Sequence, residues 1–272
     1  MSQISAIRTI LCAIDDSAHA PAVAFAAAGM AEHLKARLVV VRVDSRADGS
    51  TSEQAAARQA LAEFMMEGLP GGLGYRDQAE SRLVAGEPAE AILTAAVAEQ
   101  AGLIVMGTRG RGAISRTLLG STARDVLKGA SVPVAIVPPS DPEIVTVVGA
   151  RTIPRFGIIL VPVDLKSPAA SQLALTGLLA PGSAHRPMLL HVTESGADHG
   201  LVRERMNPLG LGVPGGRGAK LLVLDGDVAD SIVKVTKKDD VGLVILGRAH
   251  DAAGSVACAV LERTRAVVIV VP

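Results

Sequence analysis

The sequence predicts an α/β protein made of two tandem doubly wound domains, and three observations carry that prediction. Short apolar runs alternate with alanine-rich segments of helical period. The runs are apolar without interruption, as strands are when helices cover both faces of a parallel sheet. The second half of the chain then repeats the first, run for run. At 272 residues the chain has the length for two such domains, and 49% apolar residues supply their interiors. With no Trp, one Tyr and three Phe, those interiors are aliphatic.

In order, "TILCAID" (9–15), "RLVVVRV" (37–43), "LIVM" (103–106) and "VPVAIV" (132–137) read as strands. The segments 18–35, 51–67, 87–101 and 120–130 read as helices between them. "ILCAID" (10–15) matches "ILVPVD" (159–164) at a shift of 149, which also lays "VVVRV" (39–43) on "MLLHV" (188–192). "GEPAEAI" (86–92) matches "GDVADSI" (226–232), and "GLIVMG" (102–107) matches "GLVILG" (242–247), both at a shift of 140. At 134, "GS" (120–121) falls on "GS" (254–255) and "VPVAIVP" (132–138) on "AVVIVVP" (266–272). The steps between shifts are deletions in the second copy. The domains are read as 1–140 and 155–272, joined by the proline-bounded 139–155 with a candidate extra strand "IVTVV". In the second copy, the region matching helix 51–67 is rich in Gly and Pro and is expected to be a loop with at most a short helix.

Composition excludes several classes of function. Lys+Arg 27 against Asp+Glu 27 leaves no basic footprint for nucleic acid, and stacking aromatics are nearly absent. No apolar run approaches the ~18 residues that a membrane span needs. The N-terminus lacks a secretory pattern, so a cytoplasmic protein is expected. Cys12 and Cys258 are too few for a disulfide framework, and Cys12 reads as a buried inert thiol. The histidines show no zinc-like spacing with cysteine; His250, Asp251 and Cys258 form only a conceivable cluster.

The feature that points to chemistry is "GTRGRGAISRTLLGST" (107–122), a loop rich in Gly and Arg directly after an apolar strand. Its spacing, Gly107-x2-Gly110-x9-Gly120-Ser121, resembles the nucleotide-binding pattern of the universal stress protein family in its ATP-binding branch. The strand ending "AIDDS" and the terminal "VPVAIVP" are similar to that family's first and fifth strands. The resemblance covers nearly the whole chain, as a tandem pair. It implies five parallel strands per domain in the order 3-2-1-4-5, with ligands in the crevice where strands 1 and 4 end.

On that map Asp15 contacts the adenosine portion, Ala13 and Met106 line the adenine pocket, and the backbone of Val43 reads the base. Gly107 and Gly110 allow close backbone approach to a ligand. Gly120, Ser121 and Thr122 open a helix whose free N–H groups favour a phosphate, and Arg109 and Arg111 add charge-assisted contacts. Ala13 stands where the family often has proline, and Arg109 where it often has histidine or serine. Three of these assignments have a plainer alternative. Asp15 could cap helix 18–35, Ser121 and Thr122 could be caps, and the arginines could be solvated loop charges.

In the second copy only "RAHDAA" separates Gly247 from Gly254, and His250 occupies the place of Gly110. Its site is read as degenerate, giving one nucleotide per chain. The expected function is an adenine-nucleotide-binding stress or signalling protein, whose bound ATP or AMP, with or without magnesium, biases association with a protein partner. The alternative is a slow ATPase or nucleotide-processing enzyme. The chain has no G-x-x-x-x-G-K-[ST] loop and no evident catalytic base. The apolar last strands are expected to pair as edges in an internal pseudo-dimer, and two chains to form a homodimer.

Overall fold

The computed structural model describes residues 6–44, 51–67, 79–108, 119–139, 145–148, 151–180, 186–213, 218–238, 240–248 and 255–272. The chain divides into two compact units, Ile7–Asp141 with Val145–Pro154, and Arg155–Pro272.

In the first unit the order is β1 (Thr9–Ile14), α1 (Ala20–Leu34), β2 (Arg37–Asp44), α2 (Thr51–Glu67), β3 (Ala79–Ala85), α3 (Pro88–Ala98), β4 (Leu103–Gly107), α4 (Ser121–Gly129) and β5 (Val134–Val137). The strands pair in parallel in the order β3-β2-β1-β4-β5. Every residue of the central strand β1 is buried, which accounts for its unbroken apolar run. Burial pushes the Cys12 thiol in that strand up to about 12, so it stays protonated and unreactive.

The strand β3 carries charges that hide it from a search for apolar runs. Arg37 on β2 donates to Glu80 at 2.9 Å and to Glu99 at 2.6 Å, while Arg82 on β3 reaches Glu99 at 3.0 Å and also pairs with Glu80. These bonds tie β2, β3 and the end of α3 together.

Part of the segment read as a linker is a hairpin of this unit. Here β6 (Val145–Val148) pairs antiparallel with β7 (Arg151–Pro154). It lies close against α1: a Cβ on Gly29 would sit 2.7 Å from Val145 Cγ2, so only glycine admits the approach.

The second unit repeats the plan with β8 (Ile158–Pro162), α5 (Ala170–Leu179), β9 (Arg186–Thr193), α6 (His199–Leu211), β10 (Lys220–Asp225), α7 (Val228–Lys238), β11 (Val241–Gly247), α8 (Ser255–Leu261) and β12 (Val267–Val271). Its parallel order is β10-β9-β8-β11-β12, again 3-2-1-4-5. The repeat extends to glycine geometry. Gly86 and Gly226, matched in sequence, have φ of +122° and +119°, in the region that disfavours side chains.

One expectation fails in this unit. The stretch expected to be largely loop contains the 13-residue helix α6. Asp198 caps it by accepting from Gly200 N at 2.8 Å and Leu201 N at 3.3 Å. Pro208 lies in its last turn, where the lost bond would have gone to the carbonyl of exposed Glu204, which water can serve. Gly210 is buried against Leu221, and its lack of a side chain lets α6 pack on β10. Tertiary packing and one good cap outweigh poor local propensity here.

Candidate functional site

The sheet order reverses between β1 and β4, so a crevice opens beyond their carboxyl ends. The β1–β4 pairing runs up to Ala13↔Met106, both buried, and Gly107 ends β4. Asp15 follows β1 directly. Val43 lies one residue past Ile14↔Arg42, the last β1–β2 pair, while β2 continues to pair with β3 as far as Asp44↔Ala85. Sequence-predicted residues Ala13, Asp15, Val43, Met106 and Gly107 therefore meet at one end of one sheet.

Asp15 does not cap α1. Its Oδ1 accepts from Ser17 N at 3.1 Å in a local turn, and His19 occupies the N-cap position without a side-chain cap bond. The other oxygen, Oδ2, is buried and has no hydrogen-bond partner among the described residues. Two further buried polar atoms in this region are also unpartnered: Thr108 Oγ1, just after β4, and Arg42 Nε, near the end of β2. Buried polar atoms are almost always satisfied, so three at neighbouring strand ends of one unit require an explanation.

The fourth polar feature is the N-terminus of α4. Gly120 is the N-cap, with extended φ of −62° and ψ of 154°, and no side chain caps the helix. Ser121 and Thr122 are thus the first residues of the helix, not its caps. The first-turn N–H groups point to the region where the helix dipole favours an anion. Gly120 N donates to Thr108 O at 2.8 Å, which anchors the start of α4 beside the end of β4. Arg109, Gly110 and Arg111 lie outside the described residues.

In the second unit two of the three matched side chains have partners. Asp164, counterpart of Asp15, accepts from Lys166 N at 3.0 Å through Oδ1 and from Ser167 Oγ at 3.1 Å through Oδ2. His191, counterpart of Arg42, has its Nδ1 2.9 Å from Val163 O. Pro162 stands at the position of Ala13 and brings no N–H to the β8–β11 ladder, whose register ends at Leu160↔Val244. The Gln172 side chain fills that gap: Nε2 donates to Pro162 O at 2.8 Å and to Ile245 O at 3.2 Å. Its Oε1 lies 3.1 Å from where a Cβ on Gly247 would be. The protein's own amide thus bridges the strand ends of the second unit.

Sequence reasoning passed over Thr108, Arg42 and Gln172. The signal for Gln172 was available, as a polar residue in an apolar helix next to a strand that ends in proline. The histidine-centred cluster of His250 and Asp251 lies outside the described residues. Among the described residues no group of three His, Cys, Asp or Glu could hold a metal ion. No helix among them is long and apolar enough to cross a membrane.

Two doubly wound α/β units in tandem, one with unpartnered polar atoms at its switch point, define the class of protein. Residues 6–138 match the model of the universal stress protein family. A universal stress protein of Thermus aquaticus, described by its position in the QAH/OAS sulfhydrylase 3' region, is 38% identical over 141 residues. That match covers 48% of this chain and 98% of the relative. The chain belongs to the universal stress protein family. A universal stress protein structure from Archaeoglobus fulgidus DSM 4304 covers 97% of this chain and 95% of its own, with TM-score 0.69 and 17% identity. That likeness shows the fold of both halves. A universal stress protein from Archaeoglobus fulgidus in complex with dAMP matches 48% of this chain and 98% of its own, with TM-score 0.37 and 22% identity.

Proposed function

We propose that the chain is an adenine-nucleotide-binding stress-response protein that holds one ATP or AMP in the crevice of its first unit. The observation that supports this most is the contrast between the two units. Asp15, Arg42 and Thr108 carry unpartnered buried polar atoms, whereas Asp164 and His191 have partners. The backbone at the third position does not differ: Thr108 N donates to Val137 O at 3.3 Å and its match Arg248 N to Val271 O at 2.7 Å, so the contrast there is confined to the Thr108 hydroxyl. Open donors and acceptors at strand ends suit a ligand that presents both, and a nucleotide does.

In this reading Asp15 accepts from the adenosine portion, Ala13 and Met106 wall the base, and Val43 reads it through its backbone. Gly107, Arg109, Gly110, Gly120, Ser121 and Thr122 hold the phosphates. The bound nucleotide biases association with a protein partner; among the described residues the crevice offers the anion-favouring start of α4 and no evident base to activate a nucleophile. The test is mass spectrometry of small molecules released from purified, denatured protein. An adenine nucleotide at a substantial fraction of the chain concentration supports the reading. If saturating ATP then fails to bind protein emptied of ligand, the reading is wrong.

A further inference from the structure

We propose that Arg42 is a ligand-contacting residue, donating its Nε–H to an acceptor on the nucleoside end of the bound nucleotide, and that Asp16 positions it. The proposal rests on the nucleotide reading above. It starts from an imbalance within one side chain. One terminal nitrogen of Arg42 is 2.7 Å from Asp16 Oδ1, yet its Nε is buried without a hydrogen-bond partner among the described residues. A buried donor on a charged group is among the costliest to leave unsatisfied. The side chain is only 15% exposed, so bulk water does not resolve the matter.

The matched position in the second unit shows what a self-sufficient arrangement looks like. There His191 Nδ1 is 2.9 Å from Val163 O, the counterpart of Ile14. The first unit has a larger, permanently charged side chain at the same register, Ile14↔Arg42, and leaves one of its donors open.

Topology says which part of a nucleotide Arg42 would meet. Across the crevice the polar groups are ordered by strand: Arg42 on β2, Asp15 after β1, and Thr108 after β4, with the α4 N-terminus tied to Thr108. Strands are about 4.8 Å apart, so Arg42 lies about 10 Å from the anion-favouring side of the crevice. It also directly precedes Val43. The acceptor it serves is therefore a ring nitrogen of the base or a ribose oxygen, and the phosphates belong to the opposite end. Asp16 fixes the fork of the guanidinium and leaves Nε–H for the ligand.

The experiment is calorimetric titration of wild type, Arg42→Gln, Arg42→Lys and Asp16→Asn with adenosine and with ATP, alongside thermal melts. Losing a charged hydrogen bond weakens binding by about ten- to a hundred-fold. Arg42→Gln is expected to lose that factor for adenosine and ATP alike, leaving the ratio of the two affinities unchanged. Asp16→Asn is expected to lose less for both. If Arg42→Gln fails to fold, Arg42→Lys, which keeps a charge but lacks Nε, is read in the same way. Wild-type adenosine affinity in a folded Arg42 variant overturns the proposal, as does a loss confined to ATP. A wild-type chain that binds neither ligand overturns the nucleotide reading itself, a different and recognisable result.

Discussion

Replacing Gln172 with Met tests how the second unit closes its crevice. Met has nearly the volume and flexibility of Gln but no donor. The substitution removes the bonds to Pro162 O at 2.8 Å and to Ile245 O at 3.2 Å. Each is worth about 1 kcal/mol net, so the loss is about 2 kcal/mol. Burying a thioether in place of an amide recovers up to about 1 kcal/mol, while leaving two carbonyls under-satisfied costs about 1–3 kcal/mol each. The carbonyl penalty wins. The net loss is about 1–5 kcal/mol, and at roughly 4 °C per kcal/mol for a domain of this size the transition of the second unit falls by roughly 4–20 °C. Differential scanning calorimetry of the full chain reads this directly.

Gln172→Glu adds a check with a definite sign. An ionised carboxylate facing two carbonyls is disfavoured, so its folded-state pKa rises above the unfolded one. Stability is then greatest at low pH and is lost as pH climbs through that window. A Gln172→Met transition within about 1 °C of wild type would refute the view that this amide holds the strand ends.

Two further outcomes follow from the geometry. A Cβ on Gly242 would lie 2.8 Å from Phe156 O, backbone beside a fully buried ring, whereas one on Gly102 would lie 3.3 Å from Ile7 Cα. Gly242→Ala is therefore expected to cost more than Gly102→Ala, about 1–3 kcal/mol by denaturant titration, and the reverse order would contradict the packing described. The hydrogen bonds from Arg37, and next those from Arg82, hold the Glu80 carboxyl below the usual carboxylate range. Its contribution is present above the ordinary glutamate range and fades as pH falls through the lowered value. Glu80→Gln should flatten that part of the acid-stability profile, with a small, salt-sensitive effect because the group is exposed.

What could be read from the sequence follows from how each element is buried. Unbroken apolar runs such as β1 and β4 are visible because helices cover them on both faces, and α2 fell at 51–67 because its run of Ala, Glu, Gln and Arg favours helix. The strand β3 was not located, because its residues are half-buried and its charges serve Arg37 and Glu99. Helix α6 was mistaken for loop, because the packing of Gly210 against Leu221 is a tertiary fact that overrides a Gly- and Pro-rich composition, and the local cap signal of Asp198 was passed over. At the crevice, the glycine spacing and strand ends led to Asp15, Gly107 and Gly120. The open state of Arg42 and Thr108 is a matter of three-dimensional surroundings that no local pattern revealed, whereas Gln172 was signalled by a polar residue in an apolar helix and only its bond to the distant Ile245 O was not legible.

The central claim is that one unit is open to an adenine nucleotide and the other is closed by its own side chains. Isothermal titration of the full chain, emptied of ligand, with ATP tests it most directly. The account predicts a single class of site at about one nucleotide per chain, since among the described residues the unpartnered polar atoms at strand ends lie in the first unit. Saturation near two per chain, or no heat attributable to binding, would contradict it.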